Sequence, residues 1–204
     1  MILVDSKGEN SIAVASGANG NLQADEVSQI LPQINENDIV LLQLEIPVST
    51  VEFAIKACFE KKATIILNPA PAQKLDESIY LFISIITPNE TEAEILTGIK
   101  VIDLKSAEQA ANVLHDKGIP NVIITLGSKG AYFHHRDFQK LIPSPIVQAI
   151  ESTAAGDVFN GALAVGLSEG KGFEEAISFA CQAASISVTR MGAQASTPSR
   201  SEID

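Results

Sequence analysis

The stretch Ser152–Gly161 combines small residues with one carboxylate, and it is the part of the sequence best suited to phosphoryl chemistry. Ala154, Ala155 and Gly156 would present backbone N–H groups at a helix start, where such groups lack intrahelical partners and the helix dipole favours an anion. Asp157 follows them and could take the proton of an attacking hydroxyl. The alternative is that Asp157 only caps the helix. The stretch therefore predicts either a phosphoryl-transfer site or an ordinary helix start.

The elements that must position this stretch alternate between strand and helix. Continuous apolar runs predict buried strands, and apolar residues at helical spacing predict helices. Strands are predicted at 38–44, 63–67, 83–87 and 122–126, and helices at 25–34, 48–61, 90–96, 106–117, 155–168 and 173–189. This alternation is typical of a mainly parallel α/β sheet with helices on both faces.

Two hairpins are predicted in addition to these elements. Short β-prone runs on either side of a turn favour antiparallel pairing of the two runs. One hairpin joins residues 1–4 to 11–15, and the other joins 132–135 to 138–142. Because the chain has 204 residues and no low-complexity linker, we expect a single α/β domain over 1–204.

Composition and charge exclude several classes of protein. The chain is 46% apolar and only 19% charged, which lies outside the regime of intrinsic disorder. A net charge of −11 argues against nucleic acid and anionic membranes as partners. Cys58 and Cys181 lie far apart in a sequence with no signal-peptide pattern, so we expect reduced thiols in the cytoplasm.

Four further segments occur in the order that one enzyme family uses. They are Asn68–Ala72, Ile86–Glu94, Ile124–Gly130 and Val188–Gln194. Together with Ser152–Gly161 they resemble the motifs of the ribokinase-like (PfkB-type) carbohydrate kinases over almost the whole chain. The resemblance implies a ribokinase-like fold, truncated at the amino terminus by about a third of the family's length, with 1–16 as a remnant of the lid hairpin.

The activity implied by this resemblance is ATP-dependent phosphorylation of a sugar primary hydroxyl, most closely D-ribose to ribose 5-phosphate. Asp157 would be the general base, and the amides of Ala154, Ala155 and Gly156 the anion hole. Glu45 is implied as a sugar contact, with a solvated loop carboxylate as the alternative. The alternatives are a related sugar or nucleoside kinase, or a non-catalytic remnant that binds nucleotide but lacks most sugar contacts.

Nucleotide and magnesium contacts are also implied by the family motifs. Asn89 and Glu92 are similar to the family's Asn-x-x-Glu motif and would hold Mg²⁺ through waters, although the same pattern describes an ordinary capped helix. The turn after Thr125 would contact the nucleotide, or it is a bare hairpin turn. The implied nucleotide-binding residues are Asn89, Thr125, Gly127, Ser128, Gly130, Gly156 and Cys181.

A monovalent cation, K⁺, is a further cofactor that the resemblance implies. Its surroundings would be Glu151, Thr153, Ser187, Arg190, Gly192 and Ser196, largely through backbone carbonyls. Glu151 stands where relatives usually have aspartate, so cation activation is expected to differ. Arg190 is expected to contact carbonyls or a carboxylate and not the substrate.

The implied truncation leads to an expectation about partners. Removal of an amino-terminal strand from a parallel sheet exposes an apolar edge with unpaired backbone groups. We therefore expect a homo-oligomer, a separate polypeptide that supplies the missing strand, or marginal stability.

Overall fold

Residues 2–4, 10–12, 16–136 and 138–203 are described by the structure, which is a computed structural model. The chain divides into two compact units. The helical unit comprises Met1–Ser16 and Pro143–Asp204, and the sheet unit comprises Gly17–Ile142.

The described elements follow the predicted alternation of strands and helices. The strands are β1 (Ile2–Val4), β2 (Asn10–Ile12), β3 (Ile39–Leu42), β4 (Thr64–Leu67), β5 (Ile85–Ile86), β6 (Asn121–Thr125), β7 (Ala131–His135) and β8 (Phe138–Ile142). The helices are α1 (Ala24–Ile30), α2 (Val48–Glu60), α3 (Glu90–Thr97), α4 (Leu104–Asp116), α5 (Ala155–Ser168), α6 (Phe173–Ser187) and α7 (Arg200–Ile203). Short 3₁₀ turns lie at Asn19–Asn21, Leu31–Gln33, Glu77–Phe82 and Gly127–Lys129.

A six-stranded sheet in the order β3-β4-β5-β6-β7-β8 organises the sheet unit. The strands β3, β4, β5 and β6 run parallel, in a register that pairs Val40 with Ile65 and Ile85 with Asn121. The strands β7 and β8 continue the sheet antiparallel. The predicted mainly parallel sheet and the predicted hairpin at 132–142 are confirmed.

The core of the sheet unit lies where α2 and α4 cover one face of the sheet. Ile55 of α2 and Leu114 of α4 pack with Ile65 of β4 in one cluster of buried residues. Ile66 and Ile123, whose side chains alternate to the opposite face, are also fully buried. Burial on both faces explains why these strands read as continuous apolar runs without alternation.

The strand β3 differs from the prediction of a buried strand at 38–44. It spans only Ile39–Leu42 and forms one edge of the six-stranded sheet. Leu41 is 38% exposed, and the other three residues of the strand are half-buried. The burial prediction is wrong because an apolar run does not reveal whether a strand has neighbours on both sides.

The helical unit contains the closely packed pair α5 and α6. A Cβ added at Gly166 would lie 3.2 Å from Cα of Ala176, so the glycine allows the two helices to approach closely. The strands β1 and β2 pair antiparallel and place Ile2 opposite Ile12, which confirms the first predicted hairpin where it is described. Residues 1, 5–9 and 13–15 of that prediction lie outside the described residues.

The last part of the chain departs from the prediction in two ways. The helix α6 ends at Ser187, two residues earlier than predicted, because Thr189 and Arg190 donate their N–H groups to carbonyls three residues back. The four-residue helix α7 was not predicted. Its Ile203 is buried against Val158 of α5 and Phe179 of α6.

Candidate functional site

Asp157 lies in the first turn of α5, where the sequence predicted a carboxylate beside exposed amides. Its side chain is exposed to solvent. Gly156 before it is also exposed, and a Cβ built there would meet no surrounding atom of the described residues within 4 Å. An anion can therefore approach the backbone beside Asp157 closely.

The loop before α5 leads into the helix through Ala154 and Ala155. Ala154 adopts the left-handed conformation, with φ of 61°, and starts the helix without a side-chain cap. The N–H of Ala155 donates to the carbonyl of Ser152 at 3.2 Å. The donor of Ala155 is thus engaged within the loop, and the anion hole formed by the amides of Ala154, Ala155 and Gly156 stays a prediction.

A mostly apolar groove of about 450 Å³ lies beside Asp157 in the helical unit. Two of its walls come from α5 and α6, and a third comes from residues 193–203. The guanidinium of Arg200 lies 4.7 Å from the ring centre of Phe179 at its rim. The groove is lined by Asp157, Val158, Ala162, Val165, Phe179 and Ile203, among others.

The loop at 150–153 is held by the segment that follows α6. The N–H groups of Ile150 and Glu151 both donate to the carbonyl of Val188, at 2.7 and 3.1 Å. The N–H of Gly192 donates to the Glu151 carboxylate at 2.8 Å. This hydrogen bond holds the pKa of Glu151 below its usual range. Glu151 and Gly192, two of the predicted cation residues, are thus brought together.

The hydroxyl oxygen of Thr153 is a polar atom in this loop, and its hydrogen bonding is incomplete. Its hydroxyl also contributes to the lowered pKa of Glu151 by proximity. Even so, Oγ1 of Thr153 is buried and meets no group of the described residues in full hydrogen-bond geometry. A carboxylate beside an unsatisfied hydroxyl is a set of oxygen ligands that suits a hard cation.

The remaining predicted cation residues lie at the end of α6 and on the segment after it. Ser187 and Ser196 are buried, and their hydroxyls donate to the carbonyls of Ala184 and Ala193 at 2.8 Å. The side chain of Arg190 forms an ion pair with Glu202 of α7. The expectation that Arg190 contacts a carboxylate is confirmed.

In the sheet unit, Asn89 and Glu92 close the start of α3 as a capping box. Oδ1 of Asn89 accepts from the N–H of Glu92 at 2.8 Å, and Oε2 of Glu92 accepts from the N–H of Asn89 at 2.9 Å. Glu92 is buried, and burial raises its pKa. The capped-helix alternative therefore describes these side chains correctly. Any Mg²⁺ would have to use the second carboxylate oxygen of Glu92 and intervening waters.

The turn after β6 lies next to this capping box. Asn89 and Thr125 form a parallel bridge, and the N–H of Thr125 donates to the carbonyl of Pro88 at 2.9 Å. Gly127 has a φ of 55° and, like Ser128, is exposed, whereas Gly130 is buried. The turn joins two antiparallel strands, so it is a hairpin turn that also places the predicted nucleotide residues Asn89 and Thr125 side by side.

The other two predicted residues occupy contrasting surroundings. Glu45 follows β3 and is exposed. Cys181 is buried in α6, and burial raises the pKa of its thiol to about 11. Its thiol is therefore neutral at ordinary pH and can offer a nucleotide only an apolar contact.

Sequence reasoning named Asn68 only as the start of a family motif, and it missed Glu202. Asn68 joins β4 to its neighbours, because its side chain donates to the carbonyl of Thr87 and accepts from Gln43, both at 3.1 Å. Glu202 holds Arg190, and the Ser199-x-x-Glu202 spacing of a capping box could have identified it.

The sheet unit and the helical unit each bring together one set of the predicted residues. The first contains Asn89, Glu92 and Thr125, and the second contains Glu151, Thr153, Asp157 and Gly192. Within the described residues, no helix has the length and apolar character needed to cross a bilayer.

Comparison with known proteins gives consistent similarities along the chain. The family described as "pfkB family carbohydrate kinase" matches residues 1–200. A ribokinase from Haemophilus influenzae is 51% identical over 201 residues, which is 98% of this chain and 66% of that protein. A ribokinase from Staphylococcus aureus is 39% identical over the whole chain and 67% of its own length.

Solved structures share the same architecture. The crystal structure of a ribokinase from Thermotoga maritima has a TM-score of 0.88 at 42% identity, over 99% of this chain and 66% of its own. The structure of an Arabidopsis thaliana ribokinase complexed with ribose and ATP has a TM-score of 0.87 at 32% identity, over the same shares. The fold is therefore ribokinase-like, as predicted, and the chain spans about two thirds of the length of these relatives.

Proposed function

This chain belongs to the pfkB family of carbohydrate kinases, and from that premise we propose that it contains the catalytic base and the nucleotide contacts of an ATP-dependent ribose kinase. The reaction is transfer of the γ-phosphoryl group of ATP to the primary hydroxyl of D-ribose, which gives ribose 5-phosphate. The single observation that carries the proposal is the exposed carboxylate of Asp157, beside the open backbone of Gly156 at the start of α5. Similarity to ribokinases favours ribose over other sugars.

In the proposed reaction, Asp157 accepts the proton of the sugar hydroxyl while the oxygen of that hydroxyl forms a bond to the γ-phosphorus. The bond between that phosphorus and the bridging oxygen of ADP breaks, and ADP leaves. The backbone at Gly156 and the helix dipole of α5 stabilise the negative charge on the transferred group. Phosphoryl transfer depends mainly on such positioning and electrostatics, so a small number of groups is sufficient for the chemistry itself.

Magnesium and potassium would be held by different units. Glu92, with Asn89, would hold Mg²⁺ through waters, since the capping box leaves one carboxylate oxygen of Glu92 unused. Glu151 and the unsatisfied hydroxyl of Thr153 would hold K⁺, together with Gly192, whose N–H donates to Glu151, and with Ser187 and Ser196. When bound, Mg²⁺ neutralises phosphate charge and K⁺ adds positive charge near the anion site. We place the reaction in the cytoplasm, where ATP is available and thiols stay reduced.

We further propose that a complementary polypeptide completes this chain. This partner would be a polypeptide similar to the third of the relatives' sequence that the chain does not span. Two surfaces support this partner: the edge of β3, where Leu41 is 38% exposed, and the apolar groove beside Asp157. A sugar is too polar to fill that groove, whereas apolar side chains of a polypeptide suit it.

A second candidate function is a non-catalytic nucleotide-binding protein. The specific observation in its favour is that the chain spans about two thirds of the length of its relatives, and Glu45 and Asp157 are the sugar contacts proposed within that part. Recognition of a polyol needs several paired polar groups, so two carboxylates alone would orient ribose poorly.

The test combines binding with turnover. Calorimetry measures the affinity of the chain for ATP with Mg²⁺, and a coupled assay measures ribose-dependent ADP release with and without a polypeptide covering the remaining third of a ribokinase relative. We expect ATP binding by the chain and turnover only with the added polypeptide. Binding without turnover in either mixture would favour the non-catalytic protein, and absence of ATP binding would exclude both functions.

The partner proposal has its own measurement. Size-exclusion chromatography of the chain mixed with the added polypeptide should give a one-to-one complex. A stable monomer that does not bind the polypeptide would contradict the proposal. A homodimer would identify a second copy of the chain as the partner instead.

A further inference from the structure

A short series of contacts within the helical unit joins α7 to the loop that precedes α5, the helix whose first turn carries Asp157. Glu202 of α7 is the first member of the series. One of its carboxylate oxygens pairs with the guanidinium of Arg190. The other accepts from the N–H and the hydroxyl of Ser199, at 2.8 and 2.9 Å. These donors lower the pKa of Glu202 to about 2, so it is charged at any ordinary pH.

Arg190 lies in the segment after α6, so its ion pair with Glu202 joins α7 to that segment. Its own N–H donates to the carbonyl of Ser187 at 3.1 Å, so the residue is fixed at both its backbone and its side chain. Val188, two residues earlier, accepts from both Ile150 and Glu151, and Gly192, two residues later, donates to the carboxylate of Glu151. Arg190 therefore lies between the two points at which this segment holds the loop before α5.

The helix α7 has an independent attachment to the rest of the unit. Ile203 is buried against Val158 and Phe179, and the side chain of Gln182 donates to the carbonyl of Ile203 at 2.7 Å. A second ion pair joins Arg200 to Glu169 at 2.7 Å. Substitution of Glu202 by glutamine would thus leave these attachments of α7 in place, remove the ion pair with Arg190 and leave an amide oxygen to accept from Ser199.

From this geometry we propose that Glu202 is a positioning residue, which acts through Arg190 to fix the loop at 150–154 and hence the start of α5. It touches neither substrate nor nucleotide in this role. The structural part of the inference stands on the contacts alone, whereas its effect on catalysis rests on the proposed function of Asp157.

The chain offers a matched control for testing this role. Glu169 and Glu202 each pair with an arginine, and both side chains are 42% exposed. The two pairs differ in what the arginine touches, since Arg190 belongs to the segment that holds the loop and Arg200 belongs to α7. E202Q and E169Q therefore remove similar ion pairs with different expected consequences.

Hydrogen exchange measured by mass spectrometry on the chain gives the structural readout. In E202Q, peptides covering 148–156 and 188–193 should exchange roughly threefold faster than in wild type, as expected for loss of a partly exposed ion pair. E169Q should leave those peptides unchanged. Faster exchange confined to 197–203 would overturn the proposal, because Glu202 would then only stabilise its own helix.

R190Q removes the same ion pair from the arginine side. Together with E202Q and the variant that carries both substitutions, it completes a double-mutant cycle. If Glu202 acts through Arg190, then E202Q adds nothing to the exchange of 148–156 once Arg190 is replaced. Additive increases would contradict the series. Thermal unfolding of each variant shows whether the fold is retained.

Kinetics in the completed enzyme separate positioning from binding. E202Q should lower kcat roughly threefold and leave KM for ATP unchanged, because the loop fixes the start of the helix that carries the base. E169Q should match wild type in both constants. If wild type itself shows no turnover, the proposed function has failed, while the exchange result still decides whether Glu202 positions the loop.

Discussion

The candidate sites of the two units use their carboxylates in opposite ways. In the sheet unit, Glu92 is buried in a capping box and burial raises its pKa. In the helical unit, amide and arginine donors lower the pKa of Glu151 and Glu202, and Asp157 is exposed to solvent. The difference implies that candidate ligands in the sheet unit also stabilise a helix, whereas the candidate base does not need to be buried to be positioned.

The largest expected effect is that of D157N. Removal of a general base should lower kcat by about 10²–10⁴-fold, while the exposed position leaves the thermal midpoint unchanged. The measurement is ribose-dependent ADP release in the completed enzyme. D25N is a matched control, since Asp25 is also an exposed first-turn aspartate, on α1. Turnover by D157N near the wild-type rate would remove Asp157 from the mechanism.

A second variant, G156A, should separate stability from activity. No surrounding atom of the described residues lies within 4 Å of the added Cβ, so the alanine should raise stability by about 0.5 kcal/mol through its helix propensity. The same methyl would obstruct a phosphate, and turnover should fall roughly tenfold or more. G172A, at the start of α6, is the control without a proposed ligand. Unchanged turnover in G156A would argue against phosphate at this backbone.

Substitutions in the capping box should distinguish its two possible roles. N89A should destabilise the chain by about 1 kcal/mol in urea unfolding, because it removes a helix cap. E92Q should change stability by less than about 0.5 kcal/mol, since glutamine can complete the box. If Glu92 also holds Mg²⁺, E92Q should still weaken ATP binding in calorimetry.

The control for the capping-box variants is D103A. Asp103 caps α4 with the same geometry and accepts from Ser106 at 2.8 Å, but no ligand is proposed there. It should reproduce the stability loss of N89A without a change in ATP affinity. ATP affinity that is unchanged in E92Q would reduce Glu92 to a purely structural role.

The smallest expected effect concerns pH. Because the pKa of Glu92 is raised on folding, its contribution to stability increases as pH falls through the raised value. Glu202 has the opposite sign: its contribution is present above the unfolded value of about 4.3 and is lost as pH falls towards about 2. Differences in unfolding free energy between wild type and E92Q, and between wild type and E202Q, should therefore change in opposite directions between about pH 6 and pH 3. A common direction would contradict the contrast.

Most of the fold could be predicted because its signals are local or strongly periodic. The bounds of α5 match the prediction, since a small-residue loop and a glycine-rich break flank its apolar pattern. The exposure of β3 could not be predicted, because strand neighbours are set by tertiary structure. The helix α7 was missed because four residues are too few to show a period.

The sequence predicted which residues form the candidate site better than it predicted the hydrogen bonds between them. Family motifs grouped Asn89 with Thr125 and Glu151 with Gly192, and these pairs are in contact. The engagement of the Ala155 amide and the pairing of Arg190 with Glu202 depend on loop geometry. Such geometry follows from the packing of distant segments, so residue types alone do not specify it.

The open edge of β3 has a consequence for the life of this polypeptide in a cell. Unpaired strand edges recruit other exposed strands, and chains that present them are captured by chaperones or degraded. We therefore expect the steady-state amount of this chain to track the supply of whatever covers that edge, so that co-expression with its complement raises its yield and half-life.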